Sequence, residues 1–262
     1  MEELVVIECE TTNICNATCL FCPHHKFKKF GTMTDELYEK IVYQASKLPN
    51  LQTFIPMLIG EPLCDKKFIE RLKFARERLP GVTLEFYTNG SLLTRKICNE
   101  LGTITNLRIS LSLNAMTPET RKRMMGLDDF GDVMKSLQYM EEAGLLFRPT
   151  MVNHPAISPE EIKAFAEKGG MVIQYQSWCG EQYPYKRLGR TSCGRAMRYM
   201  TIFYTGEVSL CCFSSLGTVR FGNLNNQTIE EVWKGDKKRE YINLHKQGRG
   251  AELPLCCNCT EG

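Results

Sequence analysis

Apolar positions fall into two rhythms along the first two thirds of the chain. Short apolar runs at residues 4–7, 53–59, 83–87, 107–113, 147–152 and 171–175 read as strands. Between them, residues 35–48, 66–79, 95–101, 119–125 with 131–143, and 159–167 space apolar side chains three and four apart, as in Leu37, Ile41, Val42 and Ala45. That spacing puts them on one face of a helix. Thr34 before Asp35 and Ser158 before Pro159 suit helix N-caps, because a side-chain oxygen there accepts an otherwise unpaired backbone N–H. Strict strand–helix alternation predicts an α/β fold with a parallel sheet. Six such units predict a partial (β/α)6 TIM-like barrel, in which chemistry gathers at the C-terminal ends of the strands.

The rhythm breaks after residue 175. Residues 178–192 are polar, aromatic and Gly/Pro-containing, the composition of a connecting loop. Residues 200–204 and 207–212, joined at Thr205-Gly206, read as a hairpin, and residues 228–241 as a helix. The expected organisation is a barrel over residues 1–177, a connecting loop over 178–192, and a small C-terminal α+β subdomain over 193–262. A piece of about 70 residues has too little core to hold itself together, and a metal would staple it.

Composition narrows the function. Lys+Arg 33 against Asp+Glu 30 gives a net charge of +3, too small to imply a nucleic-acid surface. The first residues, MEELVVIECE, carry acids where a secretory signal carries positive charge. No apolar run approaches the ~18 residues of a membrane span. The expectation is a cytoplasmic protein with neither nucleic acid nor membrane as partner. In a reducing compartment, 13 cysteines argue against disulfides and for metal or redox chemistry.

The cysteines are clustered. Cys15-x3-Cys19-x2-Cys22 follows the first strand-like run. Zinc usually takes four ligands in a structural site, so His24 or His25 would have to complete this set. An iron–sulfur cubane held by three thiolates instead keeps one iron open for chemistry. Near the C-terminus stand Cys256, Cys257 and Cys259, with Cys193 and the Cys211-Cys212 pair upstream as possible partners, enough for a set of four thiolates, which zinc also accepts. Because a strand alternates faces, only one of Cys211 and Cys212 is expected to point inward, and the choice between Cys256 and Cys257 is likewise one of a single residue. Cys64 and Cys98 read as small buried hydrophobes. Cys9 is a candidate for the cavity wall, and Cys179 for a spare ligand or hydrogen donor.

The first cysteine motif, with Phe21 before its third cysteine, resembles the signature of the radical S-adenosylmethionine (SAM) superfamily. Further pieces follow in the family's order. Ile59-Gly60-Glu61-Pro62 resembles its GEP segment after the second strand, Tyr87-Thr88-Asn89-Gly90 the turn after the third, and residues 108–114 the fourth strand with its polar residues. Cys193, the run 206–211, residues 222–224 and 229–233, and Cys256-x2-Cys259 resemble a shortened SPASM or twitch extension. The motifs share one face of the expected barrel. Each alone has a bland reading, since Gly60-Pro62 and Asn89-Gly90 are ordinary turn chemistry.

The resemblance implies SAM and two [4Fe-4S] clusters as cofactors, held by Cys15, Cys19 and Cys22 and, for the auxiliary cluster, by Cys193, Cys211, Cys256 and Cys259. It implies Phe21 against adenine, Gly60, Glu61 and Pro62 at the SAM amino end, Asn89 in the adjoining turn, Ser110, Ser112 or Asn114 near ribose and carboxylate, and Gln176 or Tyr175 near adenine. It further implies reductive cleavage of SAM to a 5′-deoxyadenosyl radical and abstraction of a substrate hydrogen. A fully ligated second cluster suits electron transfer and so an oxidation, as in the family's dehydrogenases of small alcohols and aminocyclitols. Candidate groups for positioning or deprotonating substrate are Arg148, His154 and Tyr87, with Tyr183, Tyr185, Lys186 and Arg187 in the loop. A small-molecule or peptide substrate and a flavodoxin- or ferredoxin-type electron donor are the implied partners. A peptide-modifying maturase or epimerase is the rival within the family. An early first strand leaves no room for an N-terminal leader-binding domain, which weighs against that rival. A noncatalytic zinc-binding interaction module is the rival of another class.

Overall fold

The computed structural model describes residues 3–174, 178–179 and 191–260. Six parallel strands pair in sequence order: β1 (Val6–Cys9), β2 (Thr53–Ile55), β3 (Thr83–Thr88), β4 (Leu107–Ser112), β5 (Phe147–Asn153) and β6 (Met171–Gln174). Helices α1 (Asp35–Ala45), α2 (Phe68–Arg78), α3 (Arg95–Gly102), α4 (Pro118–Met125), α5 (Phe130–Glu142) and α6 (Pro159–Glu167) connect them. The partial barrel is therefore present. Thr34 and Ser158 cap α1 and α6 as expected, and Thr94 and Thr117 cap α3 and α4 in the same way.

Strand alternation divides the residues between two faces. Ile7, Phe54, Leu84, Phe86, Ile109, Leu111 and Met151 pack in the main core with the helices. The alternate positions along these strands include polar residues: Glu8, Glu85, Tyr87, Arg108, Ser110, Ser112 and Arg148. This inner wall is the half of the sheet that hydrophobicity alone does not reveal.

Two strand boundaries differ from the expectation for identifiable reasons. The first strand occupies Val6–Cys9 rather than residues 4–7, because buried Glu8 has partners in Thr201 (2.6 Å) and Arg195 (3.5 Å). The second strand stops at Ile55, before Pro56, which has no N–H to give to a ladder.

The C-terminal region comprises α7 (Gly194–Arg198), β7 (Tyr199–Ile202), β8 (Glu207–Ser209), β9 (Arg220–Asn223), α8 (Ile229–Lys234) and α9 (Asp236–Lys246). The expected hairpin is β7–β8, and β9 adds antiparallel to it. It does not stand apart: β7 lies parallel to β1, with Val6 opposite Tyr199 and Cys9 opposite Ile202, so one nine-stranded sheet runs β6-β5-β4-β3-β2-β1-β7-β8-β9. The single helix expected over 228–241 is two, because Gly235 takes an extended conformation (ψ 145°) that ends α8 and starts α9. Among the described residues, no helix is long and apolar enough to cross a membrane.

Candidate functional site

The loop after β1 carries Cys15, Cys19 and Cys22 and is fixed by its own side chains. The Thr12 hydroxyl donates to the Gly31 carbonyl (2.9 Å) and accepts from the Ile14 amide (3.1 Å). Asn13 accepts from the Gly31 amide (2.8 Å) and donates to the Lys29 carbonyl (2.9 Å). His24 Nε2 donates to the Asn13 carbonyl (2.8 Å) and His25 Nδ1 to that of Cys22 (3.1 Å), so each histidine is engaged with the loop backbone. Loop amides of Thr18 and Leu20 donate to the carbonyls of Met125 and Met124 at the end of α4.

The three thiols are near enough to influence one another electrostatically. Burial, then the proximity of Cys22 and Cys15, holds the Cys19 thiol above its ordinary range. Burial pushes Cys22 up to about 12 and raises Cys15 as well. Cys64, expected to be an inert core thiol, is half-buried instead, and burial followed by the neighbouring Glu61 and Cys15 pushes it up to about 11. Cys98 is fully buried as expected. Cys9 is a correction: it points into the core at the Met33 sulfur (3.8 Å), away from the inner wall, and burial pushes it up to about 12.

The GEP turn clamps this loop. A Cβ at Gly60 would lie 2.4 Å from the Thr12 carbonyl oxygen and 2.8 Å from both Asn13 Cα and the Ile14 oxygen. Gly60 thus permits contact between two backbones. The Glu61 amide donates to the Ile14 carbonyl (2.9 Å), and Pro62 opens a short 3-10 turn. The Glu61 carboxylate is 3 % exposed and accepts from the Thr88 hydroxyl (2.7 Å) and the Asn89 and Leu63 amides (2.8 and 3.2 Å). Burial pushes it up to about 7, against these donors and Arg121.

Asn89 continues the clamp. Its Nδ2 donates to Asn16 Oδ1 (2.7 Å), inside the cysteine motif, and its Oδ1 accepts from the Ser91 amide (2.9 Å). Its carbonyl accepts from Arg121, a fully buried arginine that also bonds the Leu113 carbonyl (3.1 Å) and Asp129 (2.6 and 3.1 Å). Arg121 was not anticipated, because an arginine in an amphipathic helix reads as a solvated residue. Asn114 has φ 54°, is buried, accepts from the Val152 amide at Oδ1 (2.8 Å) and donates from Nδ2 to the Met125 sulfur (3.7 Å), tying the end of β4 to β5.

Ser110 and Ser112 share the half-buried inner face of β4, and Arg148 projects from β5 with its guanidinium on the Met171 sulfur (3.4 Å). Tyr87 is 39 % exposed on the inner wall, and burial followed by the neighbouring Glu85 carboxylate raises its hydroxyl well above the ordinary range. His154 is different in kind: Nδ1 accepts the Ala156 amide (3.0 Å), which in the neutral ring places the proton on Nε2. Burial lowers its pKa and so favours that neutral form. Phe21 is half-buried against the core. Tyr175, Gln176, Tyr183, Tyr185, Lys186 and Arg187 lie outside the described residues.

The second thiol set lines one cavity: Cys193, Cys211, Cys256 and Cys259, together with Cys179, Arg195, Phe213 and His245. Cys211 and Cys212 follow β8 in a turn, so strand alternation does not sort them. The cavity does. Cys211 lines it, while Cys212 lies 3.5 Å from Arg195 and beside Glu8. Cys256 also lines it, whereas Cys257 bonds Asn258 Oδ1 (3.2 Å). Among the described residues, no three His, Cys, Asp or Glu side chains stand around one ion-sized point. The fit to a cluster rests on soft sulfur donors surrounding a shared space, and on charge. Lys238, 2 % exposed, holds its ammonium on the Ala196 carbonyl (3.0 Å); burial lowers it to about 8, and Cys211, Cys256 and Cys193 oppose that fall. A buried cation near three of these thiols suits an anionic cluster.

The model of the radical SAM superfamily matches residues 9–169, and that of an iron–sulfur cluster-binding domain, SPASM, matches residues 193–260. The chain belongs to the radical SAM superfamily. It binds SAM and a [4Fe-4S] cluster in the barrel, and auxiliary iron–sulfur in the SPASM region.

This radical SAM chain is 25 % identical, over 97 % of its length and 92 % of the relative's, to the S-adenosyl-L-methionine-dependent 2-deoxy-scyllo-inosamine dehydrogenase of Niallia circulans. Its fold is similar to crystalline BtrN in complex with AdoMet and 2-DOIA (TM-score 0.67, 21 % identity, 100 % of this chain and 95 % of that one). It is also similar to SuiB of Streptococcus suis bound to S-adenosylmethionine (TM-score 0.74, 16 % identity, 95 % of this chain and 68 % of that one).

Proposed function

We propose that this radical SAM enzyme dehydrogenates a secondary alcohol of a small polar ring, an aminocyclitol being the first candidate. The observation that carries the reading is the inner wall. Glu8, Glu85, Tyr87, Arg108, Ser110 and Arg148 present hydrogen-bonding groups along the same face of the sheet, and Glu8 at one edge pairs with Arg195, which lines the auxiliary cavity. A wall of this kind suits a polyol, whose hydroxyls need partners once out of water. The near end-to-end match to the aminocyclitol dehydrogenase supports the same substrate class.

When bound, the open-iron cluster and SAM supply a one-electron cleavage that leaves an adenosyl radical to take a hydrogen atom, and the auxiliary cluster supplies a sink for the second electron. A flavodoxin- or ferredoxin-type donor provides the initiating electron. The chain supplies orientation and a route for the hydroxyl proton. Glu61, Thr88, Asn89 and Asn16 hold the cysteine loop against the strand ends. Gly60 and Pro62 shape the turn at the SAM amino end, with Ser110, Ser112 and Asn114 on the ribose side and Phe21 toward adenine. Arg148 orients the substrate oxygen by donating to it from its guanidinium. Glu85 and Tyr87 lie two residues apart on this face of β3, so a proton leaving the substrate hydroxyl can pass to the Tyr87 oxygen as that of Tyr87 passes to the Glu85 carboxylate. His154, with Nδ1 occupied, contributes an Nε2–H donor.

The test is anaerobic turnover of the reconstituted protein with SAM, a strong reductant and 2-deoxy-scyllo-inosamine or related aminocyclitols. Formation of 5′-deoxyadenosine with a substrate product two hydrogens lighter supports the reading. SAM cleavage with no such product, or modification of peptides alone, sinks it.

A further inference from the structure

Cys179 lies between the two segments that match known families, residues 9–169 and 193–260, yet its thiol is in the auxiliary cavity. It is 3 % exposed and packs in one buried cluster with Cys211, Cys256 and Cys259. The cavity therefore holds five thiols: Cys179, Cys193, Cys211, Cys256 and Cys259. A cubane takes four. The fifth lies beside the ligating sulfurs in the same cavity.

The residue before it reaches the other centre. Trp178 Nε1 donates to the Phe21 carbonyl (2.8 Å), between Cys19 and Cys22, and its ring stands edge-on to Phe213 (5.5 Å, 71°), two residues after Cys211. Trp178 and Cys179 have φ of 52° and 55°, a left-handed pair without glycine. Such a conformation persists only where surrounding contacts impose it. Here those contacts are the Phe21 carbonyl and the Phe213 ring on one side and the thiol cavity on the other.

We infer that Cys179 donates its S–H to the ligating sulfurs of Cys211 and Cys259 and thereby raises the reduction potential of the auxiliary cluster, with Trp178 as the positioning residue that anchors it to the SAM-cluster loop. This rests on the reading that Cys193, Cys211, Cys256 and Cys259 hold that cluster. The physical reason is that a donor on a cluster sulfur offsets negative charge, which favours the reduced, more anionic state. A higher potential makes the cluster the better acceptor for an oxidation.

The test compares Cys179→Ala, Cys179→Ser and Trp178→Phe with the unmodified chain. Each is reconstituted anaerobically, with iron and sulfide counted, and the auxiliary cluster's potential is read by EPR-monitored titration in a Cys15→Ala/Cys19→Ala/Cys22→Ala background. About eight irons are expected in the unmodified protein for two cubanes. Absence of the second cluster there overturns the underlying reading. Given that cluster, Cys179→Ala is expected to retain its iron and shift the potential to more negative values. Cys179→Ser, which keeps an O–H donor, falls between, and Trp178→Phe shifts in the same direction as Cys179→Ala. An unchanged potential in Cys179→Ala overturns the proposal. So does loss of the auxiliary iron in Cys179→Ala with retention in Cys179→Ser, since Cys179 would then be a ligand.

Discussion

The Asn89 side-chain amide donates to the Asn16 side-chain oxygen across 2.7 Å, joining the end of β3 to the middle of the cysteine motif. Asn89→Ala removes this bond and the Ser91 cap, about 1 to 3 kcal/mol together. The expected result is a lower iron and sulfide content at the first site and an earlier urea midpoint. Asn89→Asp, which keeps an acceptor for Ser91 but has no donor for Asn16, should fall between. Full iron loading and an unmoved midpoint in Asn89→Ala would show that the bond does not organise the loop.

Gly60 has backbone atoms where a Cβ would go, whereas nothing lies within 4 Å of a Cβ at Gly81. Gly60→Ala must push the GEP turn off residues 12–14, at a cost of roughly 1–3 kcal/mol or more. Gly81→Ala is the control, expected within about 0.5 kcal/mol of the parent. Denaturant melts of the two variants decide it, and equal stabilities would contradict the close approach.

Arg121 is fully buried and ties Asp129 to the carbonyls of Asn89 and Leu113. Arg121→Met leaves those acceptors and the carboxylate without their donor, and a loss of about 3–5 kcal/mol is expected. Asp129→Asn keeps the arginine's carbonyl partners and should cost less. If equilibrium unfolding ranks the two the other way, the carbonyl contacts are not the main role of the guanidinium.

Glu10 is 1 % exposed, with its carboxylate on the Tyr204 amide (3.2 Å), and burial pushes it up to about 7. The folded chain therefore holds this proton more tightly than the unfolded chain. Its contribution to stability is whole below about 4.5, the unfolded value, and is lost as pH rises through about 7. Glu10→Gln cannot ionise. Relative to the parent it should gain on the order of 1–3 kcal/mol between pH 5 and pH 8. Urea midpoints at the two pH values measure this, and a constant difference between the proteins would rule out Glu10 as the source.

The local features were legible because each depends on neighbours in sequence. The spacing of Leu37, Ile41, Val42 and Ala45, the caps at Thr34 and Ser158, and the Cys15-x3-Cys19-x2-Cys22 spacing are set within a few residues, and all six barrel strands and their helices formed where expected within a few positions. Contacts between distant segments were not legible. Gly60 pressed on Thr12, Arg121 under Asn89, and Trp178 on Phe21 are side-chain and backbone meetings that depend on how the sheet closes.

By itself, then, the sequence determined the α/β alternation, the soft-donor chemistry of two cysteine groups and the family to which they belong. Only the tertiary structure decided that β7 joins β1 in one sheet, that Cys211 rather than Cys212 lines the auxiliary cavity, and that Cys179 joins it there. Periodicity reports which face of an element is apolar, but not which distant element covers that face. A thiol's partners are set by the path of the backbone around it, and that path exists only once the chain has packed.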